Sequence, residues 1–226
     1  MFKKISVVFL AIIFILGAGV YVGSAETVER ETLVGYSQAE PGDGYVEARV
    51  ILEKGDIIDV DLTEYNDLGQ AKDEGYPLDE FHEAIRELPG RFVEADSADI
   101  DTYSGATGTS NSAIEAVSQA LDKADGVTEF DGSYMGVSEA SERGAYGVAW
   151  VTVEAGQITD IYLEEVSDGD FKDEDYGYDE FHEAREEMPA RFVEADSYNV
   201  DTYTGATGSS DRWIQAVTRA LAKSAK

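Results

Sequence analysis

The chain has 226 residues, of which 17 are Lys or Arg and 47 are Asp or Glu, so its formal net charge is −30. This charge excludes a nucleic-acid-binding protein, because phosphate recognition needs clustered basic residues. A content of 43% hydrophobic residues excludes an acidic disordered tail, and the absence of cysteine excludes disulfides, thiolate metal sites and cysteine nucleophiles.

The first 25 residues are typical of an export segment. Lys3 and Lys4 precede an apolar run over residues 5–22. Gly23 and Ala25 suit cleavage of a signal peptide, whereas the length of the run also suits a membrane anchor, and both alternatives remain open. Either one predicts that the rest of the chain lies on the extracellular side of the cytoplasmic membrane, since the positive residues stay inside.

The remainder of the chain contains an internal repeat. Residues 33–50 align without gaps to residues 134–151, and the segments DEFHEA and RFVEADS each occur twice, 100 residues apart. Both copies then close on a DTY(S/T)GATG segment. We therefore predict a tandem duplication of one small domain, with a first unit over residues 33–125 and a second unit over residues 134–226.

Each unit has the pattern of a small α+β domain. In the first unit, alternation of apolar and polar residues over 46–52 and 57–62 predicts a β-hairpin. An acidic loop follows, and then a helix over residues 79–88 that Pro89 is expected to end. A second helix is predicted over residues 112–123, with one apolar face. The second unit repeats this order, so the fold class is α+β, occurring twice.

The loop before the second helix has the strongest functional signal. Residues 101–110 are mostly small or hydroxyl residues, and Gly105 and Gly108 permit unusual backbone angles. Such a loop at a helix N-terminus presents N–H groups and a favourable dipole to an anion, and phosphate is the natural ligand. The alternative is that the hydroxyl residues merely cap the helix. The recurrence of Gly-Ala-Thr-Gly in the second unit favours the anion site.

At these residues the sequence resembles the FMN-binding domain family. The pattern Asp-x-x-Ser/Thr-Gly-Ala-Thr, followed by hydroxyl residues and an Ala-rich helix, is similar to the flavinylation motif of that family. The resemblance implies covalent FMN, held by a phosphoester to the last threonine of the motif and installed by a separate Mg-dependent flavin transferase that uses FAD. It extends over both units and so implies two FMN groups in each chain.

The resemblance also assigns the motif positions. Thr107 and Thr207 would be the attachment points. The other cofactor-binding positions would be the leading acid, the hydroxyl residue and the small pair, which are Asp101, Asp201, Ser104, Thr204, Gly105, Gly205, Ala106 and Ala206.

Other candidate residues are weaker. The two histidines, His82 and His182, lack the spacing of metal ligands, and packing or solvation is the favoured interpretation over a place at the flavin edge. Tyr103 and Tyr203 adjoin the loop and either stack on a flavin ring or pack in the core, and both alternatives remain open. No catalytic residue and no metal site are predicted.

These observations lead to one favoured function and two alternatives. We expect an exported electron carrier with a covalent FMN in each unit, which relays electrons from a membrane donor to an extracellular acceptor; its partners would be these two proteins and the flavin transferase. A flavin-dependent reductase acting directly on a small molecule is one alternative. A non-redox cell-surface binding module, in which the motif is only a helix cap, is the other. An electron-transfer protein is favoured over an enzyme, since the cofactor supplies the redox chemistry.

Overall fold

The computed structural model describes residues 29–224, so the predicted export or anchor segment at residues 1–25 lies outside the described part. Among residues 29–224, no helix combines the length and the apolar character needed to span a membrane. The elements of the first unit are β1 (Arg30–Tyr36), β2 (Tyr45–Glu53), β3 (Asp56–Tyr65), α1 (Asp79–Ala95) and α2 (Thr107–Ala124). Those of the second are β4 (Gly132–Val137), β5 (Tyr146–Glu154), β6 (Gln157–Ser167), β7 (Asp170–Phe171), α3 (Asp179–Ala195) and α4 (Thr207–Lys223).

Each unit is an antiparallel sheet covered by two helices, so the predicted α+β class is confirmed. The strand orders are β1-β2-β3 and β4-β5-β6-β7. The predicted hairpin is β2 with β3, in which Val50 lies opposite Val60. In β2, alternate residues from Val46 to Leu52 are buried in one cluster with residues of α1 and α2. The helices therefore cover one face of the sheet, as the period-2 pattern requires.

The first helix of each unit is longer than predicted. Helix α1 continues through Pro89 to Ala95, and helix α3 continues through Pro189 to Ala195. Proline removes one helical hydrogen bond. In the first unit, however, the part of α1 after Pro89 contains Phe92, and this ring is fully buried. Burial of this ring therefore outweighs the lost hydrogen bond, and the prediction that Pro89 ends the helix was wrong.

The two units share a third apolar cluster. It contains buried residues of both, namely Ala39, Tyr45, Met135, Val148, Trp150 and Val166. Since Val148 and Trp150 alternate with core residues such as Ala149, β5 is covered on both faces, by its own helices and by the first unit. This explains why β5 is almost continuously apolar, whereas β2 carries an exposed Arg49 at the position equivalent to Trp150.

Hydrogen bonds cross the same boundary. The amide of Ala39 donates to the carbonyl of Ser133 (2.9 Å), and the hydroxyl of Ser133 donates back to the carbonyl of Ala39 (2.8 Å). The indole N–H of Trp150 donates to the carbonyl of Asp43 (3.1 Å). The segment between β1 and β2 is therefore held in place by the second unit.

A lysine is buried at this boundary. Lys223 is 8% exposed, and its Nζ lies 3.1 Å from the centroid of the Tyr45 ring. Burial lowers the pKa of Lys223 well below its ordinary value, only partly opposed by the charge of Glu47. Between the folded and unfolded pKa values the folded state binds fewer protons than the unfolded one, so this lysine makes stability rise with pH.

We expect Lys223→Met to raise the melting temperature at pH 7 by a few degrees, since ~1 kcal/mol corresponds to about 2–4 °C in a chain of this size. The gain should shrink as the pH approaches 10, because the cost of burying the amine falls there. Thermal unfolding at several pH values measures this. The exposed Lys54→Met is the control and should change little; a gain for Lys223→Met that is constant from pH 7 to 10 would contradict the assignment.

Candidate functional site

A cavity of about 820 Å³ opens in the first unit beside the start of α2. Four parts of the chain line it: the connection from β1 to β2, the end of β3 with the acidic loop after it, the first turn of α1, and the start of α2 with the loop before it. Its lining includes Asp43, Tyr45, Glu64, Tyr65, Lys72, Tyr76, Phe81, Gly105, Ala106, Thr107, Gly108, Thr109 and Ser112. The volume is within the range of small-molecule and cofactor sites.

Helix α2 begins inside the motif. Its first residue is Thr107, not Ser112 as predicted, and its N-cap is Ala106, which makes no side-chain capping bond. The first helical hydrogen bond is donated by the amide of Ser110 to the carbonyl of Ala106 (3.0 Å). The amides at 107–109 therefore precede the helical ladder, and the positive end of the helix dipole faces the cavity. An alanine without a side-chain capping bond stands at the N-cap, so no motif hydroxyl caps the helix there. The motif residues do form the entry turn, as the alternative also held.

The loop before α2 is fixed by a buried serine. The hydroxyl of Ser110 donates to the carbonyl of Ala106 (2.8 Å) and accepts the amide of Tyr103 (2.9 Å). Gly105 has φ +88°, and a Cβ there would lie 2.8 Å from Cγ of Glu80 on α1, so glycine is required for both conformation and space. Ser210 makes the same two bonds in the second unit, to Ala206 and from Tyr203.

The structure brings together part of the predicted site. Gly105, Ala106 and Thr107 line the cavity, and Thr107 is exposed at the first position of α2. Asp101 and Ser104 are exposed and are not among the lining residues. Asp101 contributes through its backbone, since its carbonyl accepts a bond from Arg91 (3.3 Å).

The second unit places its motif residues in the same way. Thr207 is exposed at the first position of α4, Ala206 is its buried N-cap without a side-chain capping bond, and Gly205 has φ +91°. Asp201 and Thr204 are exposed, and the carbonyl of Asp201 accepts a bond from Arg191 (3.2 Å).

Sequence reasoning missed an ion pair in the cavity wall. Glu64 at the end of β3 pairs through Oε1 with Lys72, and both side chains are mostly buried. Burial alone would lower the pKa of Lys72, but the hydrogen bond and charge of Glu64, with Tyr76, raise it above its ordinary value. The second oxygen of Glu64, Oε2, is buried and has no hydrogen-bond partner among the described residues. An acceptor that lacks a donor in a cavity wall suits a ligand with an N–H group.

The aromatic side chains near the loop divide into two groups. Tyr65 stacks on Tyr45 with centroids 4.6 Å apart, and both line the cavity. Tyr103 instead packs against the core, and its hydroxyl donates to Glu83 (2.7 Å) on α1, which raises its pKa. Between the two alternatives for Tyr103, the structure favours packing.

Both histidines are tied to the loop before their helix. Nε2 of His82 lies 2.7 Å from the carbonyl of Tyr76, and Nε2 of His182 lies 2.6 Å from that of Tyr176. Each ring also packs edge-on against the neighbouring phenylalanine. These contacts agree with the favoured interpretation of packing or solvation, and a place at the flavin edge stays the untested alternative.

The second unit has the same ion pair with an additional partner. Glu165 and Lys172 correspond to Glu64 and Lys72, and their charged atoms lie 2.5 Å apart. Glu165 is fully buried and also accepts bonds from Nε and Nη2 of Arg212 (3.2 and 3.0 Å). The residue equivalent to Arg212 in the first unit is Ser112, which lines the cavity.

Comparison with protein families gives one match, which lies in the first unit. Residues 42–122 match the family model described as FMN-binding domain, and this range contains most of the cavity wall. No curated protein matches the chain at a significant level.

Two solved structures are similar to part of the chain. The CPE2226 protein from Clostridium perfringens has 22% identity and a TM-score of 0.37, covering 42% of this chain and 88% of that one. A solution structure of a protein from Clostridium thermocellum has 18% identity and a TM-score of 0.24, covering 44% and 88%.

We expect Ser110→Ala to lower the free energy of unfolding of the first unit by about 1–2 kcal/mol, because it leaves the partly buried Tyr103 amide without its acceptor. Denaturant unfolding measures the loss, and hydrogen exchange should show faster exchange at the Tyr103 amide. Ser112→Ala on the same helix is the matched control and should stay within about 0.5 kcal/mol. Equal effects of the two changes would contradict the role given to Ser110.

Proposed function

Residues 42–122 match the model of the FMN-binding domain family, and from this match we propose that the chain is an exported flavoprotein electron carrier. In this proposal FMN is joined by a phosphoester to Thr107 in the first unit and to Thr207 in the second. The carrier relays electrons from a membrane donor to an extracellular acceptor. The observation that carries the proposal is the cavity beside Thr107, which lies within the range matched to the family.

The residues of the cavity fit an FMN group. The amides at 107–109 and the dipole of α2 suit a phosphate, and Thr107 presents its hydroxyl at the same point. Tyr65, Tyr76 and Phe81 provide aromatic surface for a planar ring. The unpaired Oε2 of Glu64 suits an N–H donor such as the one on the flavin ring.

When bound, FMN would supply the one- and two-electron chemistry, and the chain's own residues would hold and orient it. The fixed loop at Gly105 and Ser110 holds the acceptor hydroxyl of Thr107 at the helix start. The second unit contributes through Trp150 and Ser133, which hold the wall segment that includes Ala39 and Asp43.

Covalent attachment in both units is supported by the matched loop geometry. Thr107 and Thr207 each follow an alanine N-cap, and each loop is fixed by a buried serine with the same two hydrogen bonds. A flavin transferase is the partner that would form the phosphoester bonds. A covalent bond also suits a protein outside the cell, where a dissociated cofactor would be lost by diffusion.

The proposal of export is supported by the sequence pattern of residues 1–25, which suits either a cleaved signal peptide or a retained anchor. The high negative charge favours solubility outside the cell and discourages contact with anionic lipid. The same charge disfavours nucleic acids as partners, because they are also negative. We expect the membrane donor and the extracellular acceptor to be proteins or small redox molecules.

Co-expression with a flavin transferase should add to the intact mass two FMN groups, each less one water. Thr107→Ala and Thr207→Ala should each remove one group and leave the other, because each unit has its own acceptor hydroxyl at a loop of its own. Thr109→Ala, which changes a neighbouring cavity residue, is the control and should keep both. Intact mass spectrometry with visible absorption measures the result.

An unmodified mass in the presence of an active transferase would contradict covalent attachment, and loss of both flavins from one single variant would contradict independent sites. Reduction of candidate small molecules then separates a carrier from a reductase. A carrier exchanges electrons with several redox mediators without saturating at low mediator concentration. Saturable turnover of one small molecule would favour the reductase instead.

A further inference from the structure

The two loop sites differ in charge at one position of the second helix. Ser112 lines the cavity of the first unit together with Glu64. In the second unit the equivalent residue is Arg212, and its guanidinium extends to Glu165, the equivalent of Glu64. Arg212 therefore lies in the region that corresponds to the cavity.

The guanidinium of Arg212 also lies against the first turn of α4. A Cβ on Gly208 would be 3.6 Å from Nη1 and 3.8 Å from Nη2, and Nη2 lies 3.4 Å from the hydroxyl of Ser209. Gly208 and Ser209 directly follow Thr207. A group attached to Thr207 would therefore have this cation as a neighbour.

The sites differ by one positive charge in this cluster. The first unit has Glu64 with Lys72, whereas the second has Glu165, Lys172 and Arg212. The adjacent Asp211, which replaces Asn111, does not cancel this difference, because it is exposed and screened by solvent. The side chain of Arg212 is only 19% exposed, so its charge acts in a less polar environment.

We propose that Arg212 gives a flavin at Thr207 a higher midpoint potential than a flavin at Thr107. A reduced flavin carries added negative charge, and a nearby buried cation stabilises that form relative to the oxidised one. The second unit is then the electron-accepting end of the pair. This inference rests on the proposed function, since it needs a flavin in each unit.

The test uses proteins with one flavin each, isolated with a transferase and titrated by spectroelectrochemistry. Thr107→Ala retains only the second site and Thr207→Ala only the first, and we expect the higher midpoint in the Thr107→Ala protein. In that background Arg212→Gln should lower the midpoint toward that of the first site, because it leaves Glu165 paired with Lys172 as Glu64 is with Lys72. Arg212→Lys should retain most of the difference.

The converse change tests the same charge in the first unit. In the Thr207→Ala background, Ser112→Arg should raise the midpoint, since it places a guanidinium at the helix position that Arg212 holds in the second unit. Asn111→Arg adds the same charge at an exposed neighbouring position and should have a smaller effect. Melting temperatures show which variants fold. If Arg212→Gln fails to fold, the lysine variant and Ser112→Arg still decide the matter.

The outcomes separate the two proposals. Absence of flavin from both single-site proteins would overturn the proposed function. Flavin in both with equal midpoints, or midpoints that do not respond to Arg212→Gln and Ser112→Arg, would overturn only the inference about Arg212. A second site that accepts flavin only after Arg212→Gln would also overturn it, because Arg212 would then exclude the cofactor and not tune it.

Discussion

The site depends on a helix that begins at a residue unable to cap it. Ala106 holds the N-cap position of α2 and has no side-chain oxygen, so the amides of the first turn keep their hydrogen-bonding capacity. The bonds of Ser110 supply the rigidity that a capping residue would otherwise give. The chain thus fixes this loop while leaving the positive end of the helix available, and a cavity of about 820 Å³ lies beside it.

The two units pack against each other through a shared apolar cluster and hydrogen bonds. The sheet of the second unit is covered on both faces, and Trp150 on its outer face both fills the shared cluster and binds the carbonyl of Asp43. Asp43 lines the cavity of the first unit. The contacts between the units therefore also hold the wall of the cavity, since loss of the Trp150 contact would free the segment that contains Asp43.

Duplicated sequence has not produced identical chemistry. The Glu–Lys pair occurs in both units, but Arg212 adds a cation to Glu165, whereas Oε2 of Glu64 has no partner among the described residues. A change from serine to arginine at one position of a helix is enough to fill space and to alter charge at the same time. The loop geometry is the same in both units while its surroundings differ, and the difference in potential that we propose rests on this contrast.

The sequence by itself determined the repeat, the α+β class, the hairpins and the motif with Thr107, because these depend on local periodicity, turn residues and short-range matches. It misplaced the start of α2 and the end of α1, because a hydroxyl-rich loop resembles a capping segment and because burial of Phe92 overrides Pro89. Only the tertiary structure brought Glu64 and Lys72 to the same cavity and set Trp150 against Asp43. Trp150 and Asp43 are 107 positions apart, so packing between the units decides their contact. Glu64 and Lys72 are only eight positions apart, but their side chains meet because the loop after β3 folds back onto the strand, where the amide of Lys72 donates to the carbonyl of Glu64.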